Sequence, residues 1–288
     1  MDNKELKAAT VSSLLWKLME RGGNAVIQLI VQIVMARLLA PEQFGALAIM
    51  LVFVNIGNVI VQSGLNTALV QAKDVQDRDY STVFWMCASV SLVIYLAIFL
   101  AAPSIAAFYA LPYLVWPLRG IGLIVVINAY NSIQVAKVTR DLQFRKIFIA
   151  TISSVVLSAL CGIAAAVSGL GLWALVIQQL VYQLTNCAVL AFEVDWKPCF
   201  CFDVSRAKEF FAFGWRLLVS GLLATVYQSL GNLVIGKQFS SVQLGLVSQG
   251  EKYPQAVGSM LDGAIQPVML SAVAHVQVDL VAVKRLVR

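Results

Sequence analysis

Charge is scarce in this 288-residue chain: Asp, Glu, Lys and Arg together make up 12% of it, and histidine occurs once, at His275. A soluble domain carries about 25% charged residues to keep its surface wet, so this composition argues against one. With one histidine, and with Cys199-Phe200-Cys201 as the closest cysteine pair, the ligand spacing of the common zinc sites is missing. Cys87, Cys161 and Cys187 fall within apolar runs, and all five cysteines are expected to be reduced and structural. There is no G-x-x-x-x-G-K-[ST] loop, so no ATP site of that type powers work from within this sequence. No cleaved signal peptide is expected either. The first apolar run is broken by Lys17, Glu20 and Arg21 and is long enough to stay in a membrane.

Hydrocarbon is what the chain has in plenty. Hydrophobic residues make up 60% of it and the mean hydropathy is +0.82. Runs of membrane length can be read at 12–39, 44–65, 82–102, 114–135, 147–168, 171–192, 211–235 and 244–272. Each lies near the ~20 residues that cross a bilayer core as a helix. Barrel strands would alternate over about ten residues, whereas these runs are long and rich in Leu, Ala, Ile and Val. The predicted fold class is an all-α integral membrane protein with about eight transmembrane helices.

Lys and Arg set the expected orientation. Lys4 and Lys7, Lys73 and Arg78, Lys137, Arg140, Arg145 and Lys146, then Lys197, Arg206 and Lys208, and finally Lys284, Arg285 and Arg288 mark the N-terminal side and every second loop after it. The intervening connections hold only Arg37, Arg119 and Lys237. By the positive-inside rule the N-terminus is cytoplasmic, and the net charge of +6 is mostly a topology signal rather than a nucleic-acid footprint.

An internal echo suggests duplication. Residues 32–48 (QIVMARLLAPEQFGALA) and 232–248 (NLVIGKQFSSVQLGLVS) share a basic residue at the end of an apolar run (Arg37, Lys237), then Gln43 or Gln243, then Gly45 or Gly245 opening the next run. Both copies sit at the first hairpin of a pair of spans, as in repeat-built transporters. The longest charged connection separates them. The expected organisation is a six-helix lobe over 1–192, a cytoplasmic linker over 193–209, and over 210–288 the first two helices of a second lobe in parallel repeat. A second lobe of equal size would need four more spans, so the chain is expected to be a fragment or the product of a truncated reading frame.

Polar residues inside the spans recur at helical steps. Span one places Arg21, Asn24, Gln28 and Gln32 on one face, and span two Asn55, Asn58, Gln62 and Asn66. Span four carries Asn128, Asn131 and Gln134, and span six Gln179, Gln183 and Asn186. Span seven has Arg216, Ser220, Gln228 and Asn232, and span eight Ser248, Lys252, Gln255, Ser259 and Asp262. Any one such residue reads most simply as interhelical glue. Stripes on so many helices are expected instead to line a wet central cavity, since a bare buried amide costs ~1–3 kcal/mol. Arg21, Arg216 and Lys252 are the candidate cations of that cavity, because a charge at mid-membrane depth usually faces water, a partner or a ligand. The alternative for Arg21 is snorkelling to the headgroups.

Spans two to six contain no Asp or Glu. The first lobe therefore favours an anionic or neutral polar cargo over a cation. Spans three and five are more uniformly apolar and are expected to face lipid. Tyr80, Trp85, Tyr109, Tyr113, Trp116 and Trp173 fall at predicted span boundaries and read as interfacial anchors. Pro254 and Pro267 are expected to bend or break span eight.

These residues carry a family resemblance. The stretch Ala36-Arg37-Leu38-Leu39-Ala40-Pro41-Glu42-Gln43-Phe44-Gly45, then Asp79-Tyr80-Ser81-Thr82-Val83-Phe84-Trp85, Gly171-Leu172-Trp173-Ala174-Leu175-Val176, and Ile235-Gly236-Lys237 with Leu244-Gly245 resemble the Wzx-type polysaccharide flippases of the multidrug/oligosaccharidyl-lipid/polysaccharide exporter superfamily. Leu246-Val247 stands where that family often has an aromatic pair. The resemblance implies two lobes and no cofactor. It also implies transport of an undecaprenyl-pyrophosphate-linked oligosaccharide across the bacterial inner membrane by alternating access, not catalysis. On that reading Arg21, Arg216 and Lys252 would engage the pyrophosphate and the amide stripes the sugars. The implied partners are the bilayer, the lipid-linked oligosaccharide and polysaccharide assembly proteins, with no nucleic acid and no metal. The alternatives are a small-molecule or multidrug antiporter of the same superfamily, a membrane glycosyltransferase or polymerase, and a non-transporting truncated remnant.

Overall fold

A computed structural model describes residues 3–62, 64–72 and 75–252 together with 254 and 258; the side chains of 3–18, 20 and 21 are not among those described. The described residues form helices joined by short connections. They are α1 (Asn3–Leu38), α2 (Pro41–Gln62), α3 (Leu65–Gln71), α4 (Asp77–Phe108), α5 (Val115–Arg140), α6 (Phe144–Val167), α7 (Leu172–Glu193) and α8 (Val204–Gln238). A last helix, α9, runs over 241–252. The helices from α2 onward that correspond to spans two to seven are long and apolar enough to cross a membrane, as is the Gly22–Leu38 part of α1 in composition. This is a multi-pass membrane protein.

Helices outrun the apolar stretches that announce them. α4 has 32 residues and so rises ~48 Å, well beyond the ~30 Å of bilayer hydrocarbon. Its first turn is polar and capped. The side chain of Gln76 accepts from the backbone of Asp79, and the Asp79 carboxylate accepts from the Gln76 N–H at 2.9 Å, a reciprocal capping box. Span two ends three residues earlier than expected, because Gly64 turns the chain with φ +85° before the separate helix α3 begins. The Arg140 guanidinium then donates to the carbonyls of Leu69 (2.9 Å) and Ala72 (2.5 Å), satisfying the end of α3.

The core is packed where helices meet. α6 packs on α7 and α1, α5 on α4 and α7, and α2 on α5 and α8. Small residues permit the approach, as Ala150, Ala159, Ala165 and Ala166 of α6 are all buried. The outward faces of α4 and α6 stay apolar and open, with Val93, Leu100, Leu160 and Val167 all more than 60% exposed. Spans three and five thus turn their apolar faces outward, as expected. Pro254 lies in helical backbone, and Pro267 falls outside the described residues.

The two echo segments meet face to face. A methyl built on Gly45 would stand 2.7 Å from the carbonyl carbon of Ser241, and one on Gly245 would stand 2.7 Å from that of Pro41. The contact is reciprocal: position 45 meets 241, and 245 meets 41. α2 and α9 thus touch backbone to backbone at the end of the bundle that carries the 38–41 and 238–241 hairpins, here called the hairpin end. The opposite end carries the 194–203 linker and is called the linker end.

Candidate functional site

The amide stripes are resolved into two populations. On α2, α5 and α7 they bond to one another. Gln183 donates through Nε2 to Asn128 Oδ1, and Asn128 donates through Nδ2 to Asn58 Oδ1 at 2.9 Å. One turn along, Asn131 donates to Asn186 at 3.1 Å. Gln134 is fully buried, with its amide placed between Cys187, Ala191 and Tyr130. Asn58, Asn128, Asn131 and Gln183, expected to line a wet cavity, thus also bond to amides on facing helices, and Asn58 borders an open pocket as well. Replacing Asn128 by Leu should strip Asn58 and Gln183 of their shared partner and cost about 1–2 kcal/mol. Gln28→Leu, at an exposed position, should stay within about 0.5 kcal/mol. Unfolding of the two variants in detergent checks this, and equal losses would refute the ladder.

The second population lies beside α8 and α9. Asn58, Gln62, Asn66 and Thr67, with Val59, Gly64 and Leu217, line an open pocket of about 390 Å³ between α2, α3 and α8 at the linker end. The Oδ1 of Asn66 is buried without a protein partner. Lys252 of α9 donates to Gln32 Oε1 of α1 at 3.3 Å. Buried atoms of Asn24, Gln32 and Gln249 lack protein partners. Among the described residues no carboxylate pairs with Lys252.

The remaining predicted positions divide in the same way. Asn55, Gln28 and Gln228 are exposed, while Gln179 and Asn232 are part-buried. Arg216 is exposed on α8 with its guanidinium 5.9 Å from the Trp215 ring. Arg21 belongs to α1 with its side chain outside the described residues, as is Gln255 entirely. The structure therefore brings Lys252 to Gln32, and Asn58 to Gln62 and Asn66. It does not gather Arg216 and Lys252 at one contact.

Sequence reasoning missed the docking of the linker onto α4. The run Asp79 to Trp85 holds it almost residue by residue. Ser81 Oγ accepts from the Cys199 N–H at 3.2 Å, Thr82 Oγ1 accepts from the Asp203 N–H at 3.2 Å, and the Trp85 indole donates to the Cys199 carbonyl at 2.9 Å. Asp79, 5% exposed, pairs with Arg206 at 3.2 Å. Trp196 is buried among Tyr80, Phe84 and Tyr130, and Phe200 stacks on Trp85 at 5.1 Å. Tyr80 and Trp85 are thus clamps for the linker rather than lipid anchors. Trp116 and Trp173 do lie exposed at helix ends. Cys199 and Cys201, expected to be reduced, are joined as a disulfide; their Cα atoms stand 5.4 Å apart, a separation a disulfide spans.

Stacked apolar helices of membrane length, crossing at small residues and sharing internal amide bonds, define an all-helical integral membrane protein. A solved structure titled as the inward-facing conformation of a multidrug resistance MATE family transporter of the MOP superfamily matches 94% of this chain and 68% of its own, with a TM-score of 0.63 at 11% identity. The chain belongs to the family described as polysaccharide biosynthesis protein, whose model matches residues 34–288. It is 23% identical over 264 residues to the succinoglycan biosynthesis transport protein ExoT of Rhizobium meliloti, covering 92% of this chain and 53% of that one. It is 21% identical over 280 residues to the lipopolysaccharide biosynthesis protein WzxC of Escherichia coli, covering 95% and 56%. The chain spans about half the length of the curated relatives it matches.

Proposed function

We propose that this chain forms part of a polysaccharide exporter that moves a lipid-linked oligosaccharide across the bacterial inner membrane, with residues 1–192 and 210–288 as parts of two rocking lobes and the N-terminus in the cytoplasm. The observation that carries the reading is Lys252, a cation lodged between α9 and α1 against Gln32 with no carboxylate paired to it among the described residues. A mid-span cation of this kind suits an anionic group that enters between lobes, and a pyrophosphate is such a group. The polar pocket at Asn58, Gln62, Asn66 and Thr67 opens at the linker end, where hydroxyl-rich sugars would arrive. Family membership and transport-named relatives support export over catalysis.

The test is translocation of a polyprenyl-pyrophosphate-linked oligosaccharide into vesicles by the complete encoded protein. Lys252→Ala, Arg216→Ala and Arg21→Ala should each abolish or greatly reduce transport while membrane insertion continues. Normal translocation by all three variants would overturn the site.

A further inference from the structure

We infer that the groove between α4 and α8 at the hairpin end binds an anionic glycerophospholipid, its phosphate on Lys237 and one acyl chain lying between the helices. The groove holds about 520 Å³ and is lined by Phe53 of α2, Ile105 and Phe108 of α4, and Leu233, Val234 and Lys237 of α8. Its wall is hydrocarbon and aromatic, and its outer members Phe108 and Val234 are 55% and 52% exposed. Such a surface on a membrane-spanning bundle is suited to acyl chains.

Lys237 gives the groove a charged end. Its amine donates to the Phe108 carbonyl at 2.6 Å and lies 4.2 Å from the centre of the Phe108 ring. Those contacts fix the ammonium at the last turn of both α4 and α8. An ammonium has three N–H bonds, so donation to one carbonyl leaves others for a phosphate oxygen. A lipid seated there would touch α2 and α4 on one side and α8 on the other, filling a seam that the described residues leave open. Charge complementarity selects an anionic head over a zwitterionic one. The lining is almost wholly apolar, unlike the amide-lined pocket at the linker end, and this separates the groove from the cargo path.

The experiment is native mass spectrometry of the purified protein released from nanodiscs of equal phosphatidylglycerol and phosphatidylcholine. Wild type should retain phosphatidylglycerol in preference to phosphatidylcholine by about fivefold, the worth of one lysine at a membrane surface. Lys237→Gln should remove that preference and Lys237→Arg should keep it. Val234→Trp, which fills the groove and leaves the amine, should release the bound lipid. Unchanged phosphatidylglycerol retention in Lys237→Gln would overturn the assignment. Displacement of the lipid by an equimolar polyprenyl phosphate would also overturn it, because the groove would then belong to the cargo. Circular dichroism of each variant establishes that the helices are formed. None of these results depends on transport, so a failed export assay leaves the lipid result interpretable.

Discussion

Gly45→Val and Gly245→Val should each destabilise the protein by about 3 kcal/mol or more, the upper range for overpacking a close-packed contact. The reason lies in what the new side chain meets. At Gly45 it is the Ser241 carbonyl and the Gly245 nitrogen, the latter 3.0 Å from where the first carbon of a new side chain would stand; at Gly245 it is the Pro41 carbonyl and the Gly45 nitrogen at 3.1 Å. Backbone on the far side cannot rotate away as a side chain can. Relief requires α2 and α9 to separate, and with them the packing at the hairpin end. Even alanine should cost stability here, whereas Gly231→Ala on α8, with nothing within 4 Å of its new methyl, should be neutral or gain about 0.5–1 kcal/mol from helix propensity. The double variant Gly45→Ala/Gly245→Ala should lose less than the sum of the singles, because one separation relieves both clashes. Unfolding in detergent measures all of these variants, and a Gly45→Ala as well tolerated as Gly231→Ala would refute the crossing.

That contact also shows what the echo at 32–48 and 232–248 is worth. Three shared residues in an apolar background carry little information alone, yet Gly45 and Gly245 fall where the two hairpins meet. Hydropathy locates the spans well because burial in hydrocarbon is a property of composition over ~20 residues. The run at 171–192 corresponds to α7, Leu172–Glu193, and the run at 147–168 to α6, Phe144–Val167. Hydropathy is blind to helix beyond the bilayer, so it misses the polar capping box of α4 at Gln76 and Asp79 and the short helix α3. The amides illustrate a second limit. Periodicity places Asn58, Asn128 and Gln183 on helix faces but says nothing of what each face looks at, and theirs look at one another. The linker clamp is hidden for a third reason. Tyr80 and Trp85 stand at a span boundary, where aromatics ordinarily anchor lipid, and only the path of residues 194–203 back across α4 gives them another partner. The signal that could have found it is the hydroxyl pair Ser81-Thr82 between them, since both offer acceptors to an incoming backbone.

Trp196→Ala should be the costliest single truncation in the linker, about 3–5 kcal/mol, the range for deleting a buried large aromatic. Trp196 is 2% exposed, stacks on Tyr130 at 6.1 Å, meets Phe84 at 6.2 Å with its ring edge, and donates to the Asp77 carbonyl at 3.4 Å. As part of the connection between α7 and α8, it ties that connection to α4 and α5. Removing it leaves a void bounded by rings that cannot collapse together, because Tyr80 and Phe84 are fixed on α4 and Tyr130 on α5. Trp196→Phe should recover most of the loss by refilling the space, while giving up the long indole donation. The Asp79–Arg206 pair adds less, since Arg206 is part-exposed and its ion pair is screened. Two measurements separate a clamp from an ordinary core residue. Chemical unfolding should show the full cost. Limited proteolysis should show cleavage within 194–203 of Trp196→Ala under native conditions, where wild type resists, because the backbone donations to Ser81 and Thr82 have too little burial left to hold the strand down. A Trp196→Ala protein with wild-type stability and a protected linker would mean that the linker is held by its polar contacts alone.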